Sequence, residues 1–297
     1  MRVLVTGANG FIGRHLVARL VDEGADVSAI ALERGVLPAS LPFAAVDIRD
    51  RVAVERAVAN FAPAAIVHLA ALSHVGDSWR RIPEYFEVNV VGTENVLAAA
   101  AGRRVIFSSS AEIYGTVPPS EQPIREDRPA APRSPYALTK AAAERLALAA
   151  GATVARCFNL LGPGQAPGFA LPSFAVQLAA IAAGGEPLLR VGNLEARRDF
   201  VDVRDAVDGF LVLLARGEPG AVYNIASGEA ISIREALGHL CRVAGLSPRI
   251  ELDPERMRPV DVPLLAGDAR RLAALGWRPG RSLDSALADL WREALAA

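Results

Sequence analysis

Lysine is almost missing from this chain. Among 32 basic side chains only Lys140 is a lysine, and the other 31 are arginines. On a solvated surface the two are close to interchangeable, so drift towards arginine costs little there; they differ where a compact ammonium is needed. The solitary lysine is therefore either what drift left behind or a position that arginine cannot fill. Cysteine is nearly as scarce. Cys157 and Cys241 make no Cys-x-x-Cys pair and no disulfide framework, which fits a reducing, cytoplasmic setting. The four histidines (His15, His68, His74, His239) lack metal-ligand spacing, so no metal site is read. A net charge of −1 lacks the basic excess of a nucleic-acid-binding surface. The longest nearly apolar stretch, Leu171 to Ala183, is too short and too interrupted to span a bilayer. The chain enters a strand-like run at once, so no signal peptide is expected.

What is there describes a globular chain. Apolar residues make up 52% and charged residues 22%, enough for a sizeable core, and 297 residues suit one large domain or a domain plus a lobe. Short apolar runs at Arg2–Thr6, Val27–Ala31, Ala44–Val46, Ile66–Leu69, Arg104–Ser108 and Val154–Phe158 read as strands. Helical periodicity lies between them at Ile12–Glu23, Arg51–Phe61, Glu84–Ala101 and Pro135–Ala150. Strands alternating with helices, and apolar along their whole length, predict an α/β fold: a doubly wound parallel sheet covered on both faces. After Asn159 the pattern breaks at Gly162-Pro163-Gly164 and Pro167-Gly168. Further on come helices near 172–183, 203–215, 233–244 and 283–295, strands near 188–191 and 222–225, and a proline-rich loop from Pro248 to Pro263 with room for one strand. The expected division is a dinucleotide-binding domain over 1–160 and a smaller mixed α/β substrate lobe over 161–297, interleaved with the end of the sheet.

The first strand runs into Thr6-Gly7-Ala8-Asn9-Gly10-Phe11-Ile12-Gly13, a Gly-x-x-Gly-x-x-Gly loop that opens a helix. Gly7 permits the tight turn, Gly10 lets a pyrophosphate approach the backbone, and Gly13 lets the helix pack close to the strand. A pyrophosphate would sit on the free amides at the helix N-terminus. NAD-binding folds place an acid at the end of strand two. Here that position reads as Ala31, with Glu33 and Arg34 just beyond. Arg34 suits a 2′-phosphate and Glu33 suits ribose hydroxyls, and the reading leans weakly to NADPH over NADH. Asp47-Ile48 is placed to edge the adenine; the alternative is a loop aspartate capping the next helix.

Ser134-Pro135-Tyr136-Ala137-Leu138-Thr139-Lys140 opens another helix, with Ser134 at the N-cap and Pro135 at the first helical position. Tyr136 and Lys140, four apart, share a face. A nearby ammonium lowers the pKa of a phenol, which can then pass a proton to or from a substrate oxygen. Tyr-x-x-x-Lys alone is common, but here it uses the only lysine. The exit of strand five, Ser108-Ser109-Ser110-Ala111-Glu112, lies at the sheet edge where ligands bind, and a serine there can donate to a substrate carbonyl. Glu112 is either an acid of the site or a solvated loop carboxylate.

Together Thr6–Gly13, Ser108–Ser110 and Tyr136/Lys140 resemble the extended short-chain dehydrogenase/reductases of the NAD-dependent epimerase/dehydratase type. The resemblance covers essentially the whole chain. Further stretches that carry it are His68-Leu69-Ala70-Ala71, Ser73-His74-Val75-Gly76, Asn89-Val90-Val91-Gly92-Thr93, Arg156-Cys157-Phe158-Asn159, Gly162–Gln165, Val191–Phe200, Arg258–Pro263 and Gly276–Pro279. The set is most similar to the GDP-6-deoxy-D-mannose reductases. The resemblance implies a Rossmann-type fold, NADP(H) or NAD(H) as cofactor, a GDP-linked deoxysugar as substrate, deoxysugar (GDP-rhamnose) biosynthesis and a homodimer. It implies Ser110, Tyr136 and Lys140 as catalytic residues. Leu69, Ala70, Ala71 and Ser108 would join the cofactor site, with Asn89 supporting that region. Asn159, Val191, Asn193, Arg198, Arg258 and Asp261 would hold the nucleotide sugar. Arginines suit the diphosphate and a carboxylate suits the guanine edge. Similar GDP-mannose 4,6-dehydratases carry a longer arginine-rich insert after strand two and a polar residue where this chain has Ala111. Glu112 keeps dehydration, or 4-epimerisation, as the alternative activity. A non-catalytic NAD(P)-binding regulator is a third reading, opposed by the intact Ser/Tyr/Lys set.

Overall fold

A computed structural model describes residues 1–257 and 261–296. Arg258, expected to hold the nucleotide, lies outside the described residues. The N-terminal part follows the alternation of the sequence: β1 (Arg2–Thr6), α1 (Phe11–Asp22), β2 (Asp26–Ala31), β3 (Phe43–Ala45), α2 (Arg51–Phe61), β4 (Ala65–His68), α3 (Val75–Ser78), α4 (Ile82–Phe86), α5 (Gly92–Ala100), β5 (Arg104–Ser110), α6 (Pro135–Ala149) and β6 (Thr153–Cys157). The rest holds β7 (Asn159–Leu161), α7 (Ala170–Ala182), β8 (Leu188–Val191), β9 (Arg197–Asp202), α8 (Val203–Arg216), β10 (Val222–Ile225), β11 (Ala230–Ser232), α9 (Ile233–Ala244), β12 (Arg249–Leu252), β13 (Leu264–Leu265), α10 (Arg270–Ala274) and α11 (Leu283–Ala296).

Seven parallel strands form the main sheet in the order β10-β6-β5-β4-β1-β2-β3. The order reverses beside β1, so the crevice at its carboxyl end lies between β1 and β4, where doubly wound sheets bind ligands. Val3, Leu4 and Val5 show why the strands are apolar at every position. Val3 and Val5 pack with Leu16, Leu20, Phe210 and Leu213 on one face. Leu4 packs with Val54, Val58, Val96 and Ala147 on the other. The outermost strand, β10, comes from the C-terminal part, so the two parts share one sheet.

A smaller lobe is built around β9, which pairs with β7, β11 and β13, with β8 and β12 paired separately. Its core joins α7, α9 and α11 through Leu178, Leu237, Leu240 and Leu287. The sequence reading placed no strand at 197–202. The residues there are Arg-Arg-Asp-Phe-Val-Asp, and a buried strand made of charges leaves no apolar run to detect. It is stable because its charges are met: Asp199 accepts from the amides of Ser227, Gly228 and Gly267 and from the Ser227 hydroxyl.

The single helix expected over 84–101 is also corrected. A π-helical turn at Glu87–Val91 separates α4 from α5. Within it Asn89 accepts from the Leu72 amide (2.8 Å) and donates to the Leu72 carbonyl and to Thr139 Oγ1 (both 3.0 Å). The wide turn thus presents one amide side chain that ties the β4 exit to α6. Such turns frequently mark functional regions.

Candidate active site

A cleft of about 790 Å³ opens at the carboxyl edge of the sheet and runs between the two parts. Its floor is the loop from β1 to α1. Gly7 has φ +66° and lies so close to the β4 exit that a Cβ would come within 2.6 Å of the Ala70 nitrogen. A Cβ on Gly13 would stand 2.2 Å from the Gly7 carbonyl oxygen. No side chain caps α1, whose N-cap is Gly10, and Phe11, Ile12 and Gly13 line the cleft. Uncapped amides, a positive dipole end and a bare backbone make a cradle for a pyrophosphate. The donor set present therefore fits a dinucleotide.

Beneath this loop is a buried polar chain. Thr6 Oγ1 bonds His68 Nδ1 at 2.6 Å and His68 Nε2 bonds Thr93 Oγ1 at 3.0 Å. Burial, with Lys140 nearby, lowers the His68 pKa to about 3, so the ring is neutral. It fastens β1, β4 and α5 together under the site.

Ser108, Ser110 and Glu112 line the cleft from β5 and the short turn after it, and Tyr136 and Lys140 line it from α6. The Ser134 side chain caps α6 by accepting from the Ala137 amide at 3.1 Å. The Tyr136 phenol lies close enough to the Ser110 side chain to interact with it. Lys140 Nζ donates to the Ser108 carbonyl at 2.6 Å and lies 4.4 Å from the centroid of the Phe107 ring. Burial lowers the Lys140 pKa from 10.5 to about 8. The expected fall of the Tyr136 pKa is not what the geometry gives. Burial pushes it up, the nearby Ser110 hydroxyl opposes that shift, and the Glu112 charge adds to it. The Lys140 ammonium is directed at a backbone carbonyl, not at the phenol, so Tyr136 is held as a protonated donor beside a serine hydroxyl. Cys157 closes the back of the cleft, its thiol pushed up to about 12 by burial and so inert.

The other predicted cofactor residues divide. Leu69 and Ala71 line the cleft, whereas Ala70, Asn9, Arg34, Asp47 and Ile48 do not. Ala70 donates its amide to Thr6 Oγ1 at 3.3 Å. Asn9 accepts from the Val36 amide at 3.2 Å and so ties the loop after β2 to the glycine loop. Arg34 is in that same loop. Its Nη1 is bonded to the carbonyls of Pro38 (2.7 Å) and Leu41 (3.0 Å), and its guanidinium stacks on Phe43. The Asp47 carboxylate is taken by Arg49, which holds its pKa down. It does not cap α2 either, since Asp50 does. The Ile48 side chain packs against Gly92, with no room for a Cβ there.

At the far end of the cleft the lobe contributes Asn159, Asn193, Arg198 and Asp261. Arg198 Nη2 and Asn193 Nδ2 donate to the two oxygens of the Asp261 carboxylate, at 2.6 and 2.8 Å. Arg198 Nη1 donates to the Val262 carbonyl at 2.6 Å. Asp261 therefore acts first as the fastener of Arg198. Val191 does not reach the cleft: β8 turns its side chain into the lobe core. Two features escaped the sequence reading. One is Glu144, a further turn along α6 on the face of Tyr136 and Lys140; its spacing was the available signal. The other is His74, whose Nε2 lies 2.9 Å from the Gly168 carbonyl and bridges the mouth of the cleft.

The sequence model of the GDP-mannose 4,6 dehydratase family matches residues 4–290. The GDP-6-deoxy-D-mannose reductase of Pseudomonas aeruginosa is 35% identical over 96% of this chain and 94% of that protein. The structure of RMD from Pseudomonas aeruginosa complexed with NADPH superposes with a TM-score of 0.88 at 32% identity, covering 99% of both chains. The UDP-glucose 4-epimerase of Thermus thermophilus, in complex with NAD, gives 0.91 at 33% identity, covering 100% of both. The chain belongs to the GDP-mannose 4,6 dehydratase family of extended short-chain dehydrogenase/reductases.

Proposed function

We propose that this protein is an NAD(P)H-dependent reductase that converts the C4 ketone of GDP-4-keto-6-deoxy-mannose to the alcohol, giving GDP-6-deoxy-D-mannose (GDP-rhamnose). The observation that carries the reading is the placing of Ser110 and Tyr136, hydroxyl to hydroxyl, in one cleft with the glycine loop. Similarity to the Pseudomonas aeruginosa reductase over nearly the whole of both chains supports the substrate. The dinucleotide, when bound, supplies the hydride. Gly7, Gly10, Phe11, Ile12 and Gly13 hold its pyrophosphate, Leu69, Ala71 and Ser108 line its path, and Asn9, Ala70, Asp47 and Ile48 shape the adenosine side from behind. Ala31 leaves no acid to repel a 2′-phosphate, which favours NADPH, and Arg34 belongs to the loop that Asn9 ties to the glycine loop.

The chain's own groups then act on the carbonyl oxygen. Ser110 and Tyr136 both donate to it, which polarises the ketone and selects its orientation. Tyr136 gives up its proton as the alkoxide forms, and Lys140 would hold the nicotinamide ribose of the bound dinucleotide as a compact point donor. Arg198, set by Asp261, meets the diphosphate, with Asn159 and Asn193 beside it; Arg258, outside the described residues, keeps the nucleotide-binding role that the resemblance implies. Residues 1–160 form the cofactor domain and 161–297 mainly the substrate lobe, interleaved with the main sheet through β10. The two free thiols suit a cytoplasmic location. Exposed Val91, Leu138 and Leu146, on the turn before α5 and on α6, suit a homodimer paired through those helices.

The test is nicotinamide absorbance on mixing the protein with GDP-4-keto-6-deoxy-mannose and each reduced cofactor. Loss of absorbance is expected, and none with either cofactor would refute the reading. Tyr136→Phe should lower kcat by about 1,000-fold while the cofactor Kd stays within about twofold. Glu112, which lines the cleft beside Tyr136, favours a second reading as a dehydratase or 4-epimerase. Such an enzyme regenerates its cofactor and would turn over with no added NAD(P)H.

A further inference from the structure

The strand that carries Ser108 and Ser110 is gripped from behind. Side chains alternate along β5, so the Ser109 hydroxyl points away from its neighbours'. It donates to Glu144 Oε2 at 2.5 Å. Ser109 is in register with Arg156 on β6, and Ser110 with Cys157. Arg156 meets the same carboxylate, through Nη2 to Oε1 at 2.6 Å and Nε to Oε2 at 3.1 Å. Glu144 and Arg156 are 3% and 6% exposed. The other amine of Arg156, Nη1, donates to Tyr114 Oη (2.8 Å) and the Glu126 carbonyl (2.9 Å), and Tyr114 Oη donates to Asn224 Oδ1 on β10 (2.7 Å). Burying a charged pair has a large desolvation cost, and apolar side chains of similar size would often serve stability as well. What apolar side chains cannot do is hold a hydroxyl at one point on a strand.

That point lies between the two backbone units the site depends on. The Ser108 carbonyl receives the Lys140 ammonium, and the Ser110 side chain meets Tyr136. Glu144 is one turn after Lys140 on the same helix. A single carboxylate therefore refers the β5 exit and α6 to each other. We propose that Glu144, neutralised by Arg156 and gripping the Ser109 hydroxyl, is a positioning residue that registers Ser108 and Ser110 against Lys140 and Tyr136. The proposal rests on Ser110, Tyr136 and Lys140 being the reacting groups.

Because Lys140 is the only lysine, its Nζ gives a single resonance in lysine-labelled protein, and its titration reports the register without any substrate. Lys140 is faced by Cys157 from β6, by His68 from β4, and by Tyr136 and Glu144 on its own helix, with Arg156 behind Glu144. Ser109→Ala removes one hydroxyl and leaves the charged pair intact. The Ser108 carbonyl should then draw away from Nζ, and the Lys140 midpoint should fall by about half a pH unit or more. In the reductase assay kcat should fall about tenfold, with KM for substrate and cofactor within about twofold. Glu144→Gln, which keeps an acceptor for Ser109 but removes the negative charge, should also lower the midpoint. A Lys140 midpoint unmoved in Ser109→Ala would overturn the proposal, even if the variant melted lower. If the wild type oxidised no NAD(P)H but the midpoint still fell, the substrate reading would fail and the positioning role would stand.

Discussion

Lys140→Arg exchanges the chain's one lysine for the residue that serves its 31 other basic positions. The Lys140 side chain is 5% exposed, with Nζ 2.6 Å from the Ser108 carbonyl and 4.4 Å from the Phe107 ring centre. Burial moves its pKa from 10.5 to about 8, which corresponds to about 3 kcal/mol against the charged form. Arginine bears a similar cost and has no accessible neutral form. Its guanidinium is also broader than the space between the carbonyl and the ring, and overpacking a tight site adds about 1–3 kcal/mol. The expected result is a variant destabilised by about 1–3 kcal/mol in denaturant melts, with turnover reduced at least about 100-fold, since misplacing a catalytic group by an ångström costs that much. Lys140→Met is the control: it should lose turnover as fully yet be no less stable than wild type at pH 7. The sign of the pH effect is fixed by the downward shift. Between about pH 8 and 10.5 the unfolded chain holds this proton more tightly than the folded one, so wild-type stability gains a contribution as pH rises through that window. Lys140→Met should lack that gain. Turnover of Lys140→Arg within about threefold of wild type, at unchanged stability, would refute the argument.

Neutral, buried His68 makes a second pH prediction of the same sign, in a lower window. Its folded pKa of about 3 lies below the ordinary 6.5, so stability should fall as pH drops below 6.5, by about 2 kcal/mol between pH 7 and pH 5. Urea melts of wild type and His68→Gln at the two pH values check it: the variant should lose most of this dependence. Gly13→Ala drives a Cβ to within 2.2 Å of the Gly7 carbonyl, and should cost about 3 kcal/mol and weaken dinucleotide binding in a calorimetric titration. Arg198→Ala leaves the Asp261 carboxylate without its cation. It should raise KM for the nucleotide sugar about tenfold or more with kcat within about threefold, read in steady-state kinetics.

The features legible in the sequence were local ones. Apolar runs of three to five residues marked the main strands, and Pro135 and Ser134 marked the start of α6 to the residue. The strand–glycine–helix order placed the phosphate loop, because a backbone that must approach both a ligand and the next strand admits nothing larger than glycine. The Tyr136/Lys140 pair followed from helical spacing. Strand β9 was not legible, because its charges are satisfied by amides 28 to 68 residues distant in the chain, as the Asp199 bonds show. Nor was the π-helical turn, whose wide hydrogen bonding is sustained by Asn89 reaching Leu72 and Thr139.

Sequence alone therefore determined on which elements the main candidate residues sit, since periodicity, capping and glycine geometry act over a few residues. Only the tertiary structure decided what each charged group does. Asp47 turned to Arg49, Arg34 to two carbonyls, Asp261 to Arg198, and Val191 into the core. The direction of the Tyr136 pKa was decided there as well, because burial is a property of everything packed around a group and Lys140 had a carbonyl to meet instead. The lone lysine stood out by count, but the buried carbonyl 2.6 Å from its ammonium, on a different element, is what gives the count a physical cause.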